Sequence, residues 1–325
     1  MKILSQESNI GIATTVSSAT AVRLYNSDSS AGIVTRTDNS NSTIGNFTVP
    51  AGEVLYLQKK STDKLIAPST VFASKVAYTS MMSYASYASS GGGGGGYTPP
   101  QSSDLEVYLN PASYSGSGTS WPDSSGNSHN YTLVNGVSYQ TSPKRFNFDG
   151  VNDFARPTSS YTVNSNTVTF IAWIKRNGTQ NSYAEIMFAR NVGLNNANGL
   201  NFYGNTPNAT NLGYHWNNSG WPYNSGLTIA DATWTMVALA ISASAAKFYR
   251  YTSSSTPSTA QNNASHGAQP FTGTTVGALG IGNDCEVTDQ RGFKGDIGHA
   301  LFYSTTLSES DITDIYDNTK STYGY

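Results

Sequence analysis

Thr167-Val-Thr-Phe-Ile-Ala-Trp-Ile174 and Trp234-Thr-Met-Val-Ala-Leu-Ala-Ile241 are two runs of β-branched, aromatic and aliphatic residues of strand length. Their near-continuous apolarity predicts strands in the core of a sandwich, because a strand with one wet face alternates instead. Ala246-Lys-Phe-Tyr-Arg-Tyr251 does alternate, and His299-Ala-Leu-Phe-Tyr303 closes the series. Many short strands of this kind predict a two-sheet β-sandwich over residues 102–325. One helix is expected after them. Ser308 stands three residues before Asp311, a capping-box spacing, and Ile312, Ile315 and Tyr316 follow on one face.

Outward from this block, residues 1–80 predict a small antiparallel β module. Val22 and Leu24 alternate with Arg23 and Tyr25, and Ile33 with Thr35 follows a turn-like Ser27 to Gly32. Ile44, Phe47 and Val49 lead into Pro50-Ala51-Gly52, and Val54 and Tyr56 leave it. The segments have period two and are bounded by turn residues. So small a module buries a modest core, and docking on a partner would stabilise it. Between the two lies a Ser/Gly/Pro-rich linker, residues 81–101, with six glycines from Gly91 to Gly96 and a Pro99-Pro100 collar. Glycine loses the most backbone entropy on ordering, so the run predicts a flexible tether with an r.m.s. span of roughly 25 Å. The chain is expected to be all-β, with two modules free to swivel about that tether.

Composition narrows the function. Only 12% of the 325 residues are charged, whereas 12% are aromatic and 31 are glycine. That aromatic share is a globular figure, and polar but uncharged surface suits a β protein exposed on a particle. The net charge of −2 offers no basic field for nucleic acid. One cysteine, Cys285, rules out an internal disulfide. Met-Lys-Ile-Leu-Ser-Gln-Glu-Ser lacks the apolar core of a signal peptide, and no apolar stretch is long enough for a membrane helix. Synthesis in a cytoplasm followed by exposure in an assembly reconciles these observations.

Catalytic motifs do not emerge. His129, His215, His266 and His299 lack metal-type spacing, no Gly-x-Ser-x-Gly elbow occurs, and the glycine run lacks the Lys-Ser/Thr of a phosphate loop. Acidic neighbours Asp284 and Glu286 disfavour a Cys285 thiolate. Glycoside hydrolysis needs two carboxylates facing one bond, and no spacing singles out a pair. The protein is expected not to be an enzyme.

Two binding chemistries remain. Asp123 with Asn127, Asp149 with Asp153, and Asp296 are hard oxygen ligands on glycine-rich turns, of the kind calcium takes. The same side chains also satisfy turn backbones through Asx hydrogen bonds, so both readings stand. Sugar binding is the second chemistry. Tyr203, Tyr214, Trp216, Asn217, Trp221 and Tyr223 crowd an Asn/Gly/Ser-rich stretch, and aromatic faces with amide partners are what a glycan groove requires. Strand alternation offers another reading for Tyr214 and Trp216, which would then face the core together.

Three motifs add a resemblance. Ser120-Trp121-Pro-Asp123-Ser-Ser-Gly126-Asn127, Phe146-Asn-Phe148-Asp149-Gly150-Val-Asn152-Asp153-Phe154, and Gly292-Phe-Lys-Gly295-Asp296-Ile297 through Leu307-Ser-Glu-Ser-Asp311-Ile312 occur in this order. Together they resemble the opening, middle turn and closing strand of laminin G-like, concanavalin A-like jelly-roll domains. The resemblance implies a sandwich that binds sugars or proteins or simply packs, and that often carries a structural calcium. Ile12-Ala-Thr-Thr15, Ala21-Val-Arg-Leu24, Thr43-Ile-Gly45, Val49-Pro-Ala-Gly52 and Thr62-Asp63-Lys64 resemble a β unit that begins virion proteins of marine tailed bacteriophages. The expectation is a non-enzymatic virion structural protein of the capsid-decoration or head-fibre type, in several copies. Its residues 1–80 would dock on the major capsid or another virion protein, and residues 102–325 would face cell-surface glycans, without nucleic acid or membrane. A tail-associated adhesin, a head that only packs on its neighbours, and a polysaccharide-degrading enzyme are the alternatives.

Overall fold

The computed structural model describes residues 2–3, 5–17, 19–59, 62–77, 97–190, 196–204, 210–216, 223–285 and 291–325. The chain divides into two compact units, Met1–Gly95 and Gly96–Tyr325. The six glycines of the expected tether lie outside the described residues. Tyr97, assigned above to the tether, instead belongs to the second unit. It packs on an apolar cluster there, and its hydroxyl donates to Asp314 Oδ2 at 2.9 Å.

In the first unit, strand Ala21–Asn26 lies between Val71–Ala77 and Val54–Gln58, all antiparallel. A three-stranded sheet places Gly32–Thr37 between Thr43–Val49 and Lys64–Ile66. Val22, Leu24, Val34, Val49, Leu65 and Val71 form the core. Buried Asn26 joins the turns by donating to the Ser30 and Val49 carbonyls at 2.8 and 3.1 Å. The opposite face of the three-stranded sheet is apolar in part. Ile66 opposes Thr35 there, with Ile33 two residues along, and they are 37% and 59% exposed.

Among the described residues, the second unit is a β-sandwich of two eight-stranded sheets, with a two-stranded sheet and one short α-helix, Glu309–Thr319. In one sheet, strand Val168–Arg176 lies between Thr235–Ile241 and Lys294–Tyr303. Phe170, Ala172 and Ile174 point into the core between the sheets, and Ile171 and Trp173 point to the outer face. That outer face is dry as well, because the helix and C-terminal residues cover it. Burial on both faces explains why these runs are continuously apolar and do not alternate.

The cover is held by specific contacts. Trp173 Nε1 donates to Thr319 Oγ1 at 2.8 Å, and its ring stacks on Tyr323 at 4.4 Å. Tyr323 Oη accepts from the His299 amide at 2.8 Å and lies 2.9 Å from His299 Nδ1. Burial holds His299 down at about 4, so its imidazole is neutral where Nδ1 and the tyrosyl hydroxyl share a hydrogen bond. A Cβ on Gly298 would sit 2.0 Å from Tyr323 Oη, which is why glycine stands there. The Ser308 and Asp311 side chains form the expected capping box at the helix start.

Replacing Trp173 removes a fully buried ring and its bond to the helix together. Trp173→Ala is expected to lower the unfolding free energy by about 3–5 kcal/mol, read from urea denaturation.

Candidate functional site

The second sheet contains strands Glu185–Ala189, Asn198–Phe202 and Asn211–His215 side by side. Met187, Leu200, Phe202, Leu212 and Tyr214 point into the sandwich core. The residues between them therefore line the outer face. Glu185 opposes Asn201, and Asn201 opposes Gly213. A Cβ on Gly213 would meet the Tyr223 carbonyl oxygen at 2.7 Å and Tyr203 Cβ at 2.9 Å, so only glycine fits beside both residues.

Charge is buried here to an unusual degree. Glu185, Arg190 and Asp284 are 0%, 1% and 0% exposed. Arg190 Nη2 donates to Glu185 Oε1, and Arg190 Nε lies 2.9 Å from Asp284 Oδ2. Glu185 Oε2 also accepts from the Asp284 amide at 2.8 Å. One guanidinium thus binds two carboxylates. Burial, aided by Asp284, pushes the Glu185 carboxyl up to about 8 against the pull of Arg190 and Arg291. Next to it, burial and then Arg291 and Arg190 push His215 down to about 3. His215 is therefore neutral. Asn201 Nδ2 donates to its Nδ1 at 3.1 Å, which leaves the proton on Nε2. Asn201 Oδ1 is buried and has no partner among the described residues.

Partly exposed aromatics overlie this network. The Tyr183 ring meets His215 edge-on at 5.5 Å, and Arg291 lies over Tyr183 at 5.3 Å. Tyr183 holds a φ of +54°, a costly conformation for a tyrosine that often accompanies binding sites. Its amide donates to the Gly204 carbonyl at 2.9 Å, which ties it to the residue after Tyr203. Tyr183, Tyr203, His215 and Arg291 form one patch on the outer face.

The structure splits the aromatic group read from sequence. Tyr214 and Trp216 are core residues, 5% and 3% exposed, and cannot offer a face to sugar. Tyr214 Oη bonds His266 Nε2 at 2.8 Å, and Trp216 Nε1 donates to the Gly267 carbonyl at 2.8 Å. Strand alternation puts them there, as the second reading had it. Tyr223 packs half-buried on the same core, stacked on Phe248, with its hydroxyl donating to the Gln261 carbonyl at 2.9 Å. Tyr203 stands on the opposite face, and Asn217 and Trp221 lie outside the described residues. Tyr183, His215 and Arg291 were not singled out as site residues. The available signal was a charge on each side of an apolar run, Glu185-Ile-Met-Phe-Ala-Arg190.

The five calcium candidates do not assemble into a cage. Asp123 accepts from the Tyr108, Ser125 and His129 amides and from the Ser125 hydroxyl. Asn127 donates to the Leu105 carbonyl, and Asp149 accepts from the Val151 and Asn152 amides. Asp153 accepts from the Asp149 amide. Asp296 faces Arg145 and Lys175 at 2.9 and 3.3 Å, and cations are poor neighbours for a metal. Among the described residues no three His, Cys, Asp or Glu side chains converge as a metal site. Backbone amides occupy Asp123, Asp149 and Asp153, and two cations occupy Asp296, so the calcium expectation does not fit the geometry of the described side chains.

Excess chelator is accordingly expected to leave the melting temperature of the protein unchanged. Two shifted groups of this network contribute to the pH response. His215 is depressed, so its contribution is complete above the ordinary value of 6.5 and is lost as pH falls toward about 3. Glu185 is raised, so its contribution is complete below the ordinary 4.5 and is lost as pH rises through about 8. His215→Gln should narrow its stability gap to wild type by about 1.4 kcal/mol per pH unit below 6.5. Glu185→Gln should remove one proton's worth of the decline between pH 6.5 and 8, both read from denaturation at each pH.

Comparison with curated proteins finds no match. Among solved structures, the chain is similar to domain 4 of AbnA, a GH43 extracellular arabinanase from Geobacillus stearothermophilus, in complex with arabinotriose. Identity there is 18% and the TM-score 0.46, covering 65% of this chain and 98% of that one. A botulinum neurotoxin serotype D binding domain follows at 14% and 0.44, covering 66% and 52%. The Trypanosoma rangeli sialidase in complex with sialic acid matches at 13% and 0.50, covering 87% and 46%. The chain spans about half the length of the last two, and at such identities the likeness is one of fold alone. A family model described as concanavalin A-like lectin/glucanases superfamily matches residues 149–313. That is half of the chain, and the protein belongs to this superfamily.

Proposed function

We propose that this chain is a non-enzymatic glycan-binding protein of a bacteriophage particle, of the capsid-decoration or head-fibre type. The observation that carries the binding role is the outer-face patch of Tyr183, Tyr203, His215 and Arg291 over a rigid buried network. Tyrosine faces stack on sugar C–H surfaces, while His215 Nε2 and the Arg291 guanidinium donate to hydroxyls. The concanavalin A-like sandwich supports this reading at the level of fold.

The non-enzymatic reading is supported by the placement of the acids. Glu185 and Asp284 are fully buried on Arg190, so neither reaches a glycosidic bond. The docking role of residues 1–80 is supported by Ile33 and Ile66, which share one exposed sheet face. Many copies on a particle would turn weak single contacts into firm retention through effective concentration.

The test is retention of the purified protein on immobilised glycans. Tyr183→Ala and Tyr203→Ala should each weaken binding by about 1 kcal/mol, roughly fivefold, with the melting temperature kept. Retention that neither substitution changes would place binding elsewhere. Labelled antibody against the chain should decorate the head of intact particles in electron micrographs, and bare particles would end the virion reading.

A further inference from the structure

A second polar site lies on the other sheet, on the face that also carries the C-terminal helix. Cross-strand register builds it. Phe146, Ile297 and Ile174 form one row pointing into the core. The adjacent row, Asn147, Asp296 and Lys175, must then point outward. Arg145 is two residues from Asn147 and opposes Gln140, so both join this face. Together they line a cavity of about 320 Å³, at the lower end of the roughly 300–1,000 Å³ of small-molecule sites.

The charges in it do not balance. Asp296 is 8% exposed and serves both cations: Arg145 Nε at 2.9 Å and Lys175 Nζ at 3.3 Å. Asn147 Nδ2 donates to its other oxygen at 2.8 Å. This carboxylate is therefore spent and is a poor acceptor for a ligand hydroxyl. Arg145 also commits Nη1 to the Ser142 and Pro143 carbonyls, which leaves Nη2 for a ligand. The Lys175 ammonium lies 5.8 Å from the Trp234 ring centre, which steadies it, and retains donors beyond Asp296. Arg176, at the rim, is neutralised by Asp231 at 3.4 Å. Two cations share one carboxylate, so the cavity carries one excess positive charge in a partly desolvated setting.

We propose that this cavity binds the acid group of an anionic saccharide, a carboxylate or a sulfate ester. Lys175 Nζ and Arg145 Nη2 make the charge-assisted bonds to the acid. The exposed Gln140 amide and Asn147 Oδ1 meet the flanking hydroxyls. The saccharide part rests on the glycan-binding reading above, whereas the acid-binding part rests on the charges alone.

Titration calorimetry of the full chain tests it with four probes: free glucuronate, a uronic-acid oligosaccharide, a sulfated oligosaccharide and a neutral one. At least one acidic oligosaccharide should bind ten times more tightly than the neutral one, with an affinity that falls as salt rises. The carboxylate and sulfate arms decide which acid is preferred. Lys175→Gln should remove about a tenfold share of the acidic affinity and leave the neutral affinity alone. Gln140→Ala, which breaks no side-chain hydrogen bond among the described residues, should weaken acidic binding without lowering the melting temperature. Acidic probes that bind no better than the neutral one, or bind equally to wild type and both variants, would overturn the cavity assignment. Neutral binding retained in that case leaves the glycan-binding function standing. Glucuronate bound through Lys175 while every oligosaccharide fails would sustain the cavity and end the glycan reading.

Discussion

Burial of strand Val168–Arg176 on both of its faces is the constraint on which the second unit depends. An ordinary sandwich strand gives one face to the core and one to water, and so alternates. Here Trp173 and Ile171 also leave water, under a helix and a C-terminal segment that carry Ile312, Ile315, Tyr316 and Tyr323. The helix is short, and its stability comes from this packing more than from its intrinsic propensity. Gly298 and the His299–Tyr323 bonds set how closely the tail approaches. Because the same strand carries Lys175 near its end, the packing that orders the helix also positions that outward cation.

A different solution operates on the opposite sheet. There the outer face is filled by a guanidinium between two carboxylates. Such burial is seldom the most stabilising choice, since well-packed apolar residues of equal volume serve as well or better. What it supplies is direction. Arg190 fixes Glu185 and Asp284, burial and then Arg291 and Arg190 keep His215 neutral, and His215 with Asn201 sets the surface above. Rigid support beneath exposed rings lowers the entropy lost when a ligand is bound.

Local patterns in the sequence carried the fold well. The continuous runs at 167–174 and 234–241, the Ser308–Asp311 cap and the period-two segments of the first unit each depend on neighbours within a few residues. The sites were less legible because register makes them. Lys175 meets Asp296 across more than a hundred positions, and Glu185 meets Asp284 across 99. Composition flagged Tyr214 and Trp216 as readily as Tyr203, yet a two-residue period sends the first pair inward. Asp and Asn in turns misled in another way: backbone amides compete with metals for the same oxygens, and here the amides hold them.

Low surface charge gives the remaining charges more weight. With 12% of residues charged, few neighbours screen or offset the cluster at Arg145, Lys175 and Asp296. An excess of one charge on such a surface stands out over distances near the Debye length, about 8 Å at physiological salt. The same excess on a densely charged protein would be lost among surrounding ion pairs. The two polar sites therefore differ in kind: one is a charge-compensated network that supports aromatic faces, the other a cavity whose charge is left incomplete.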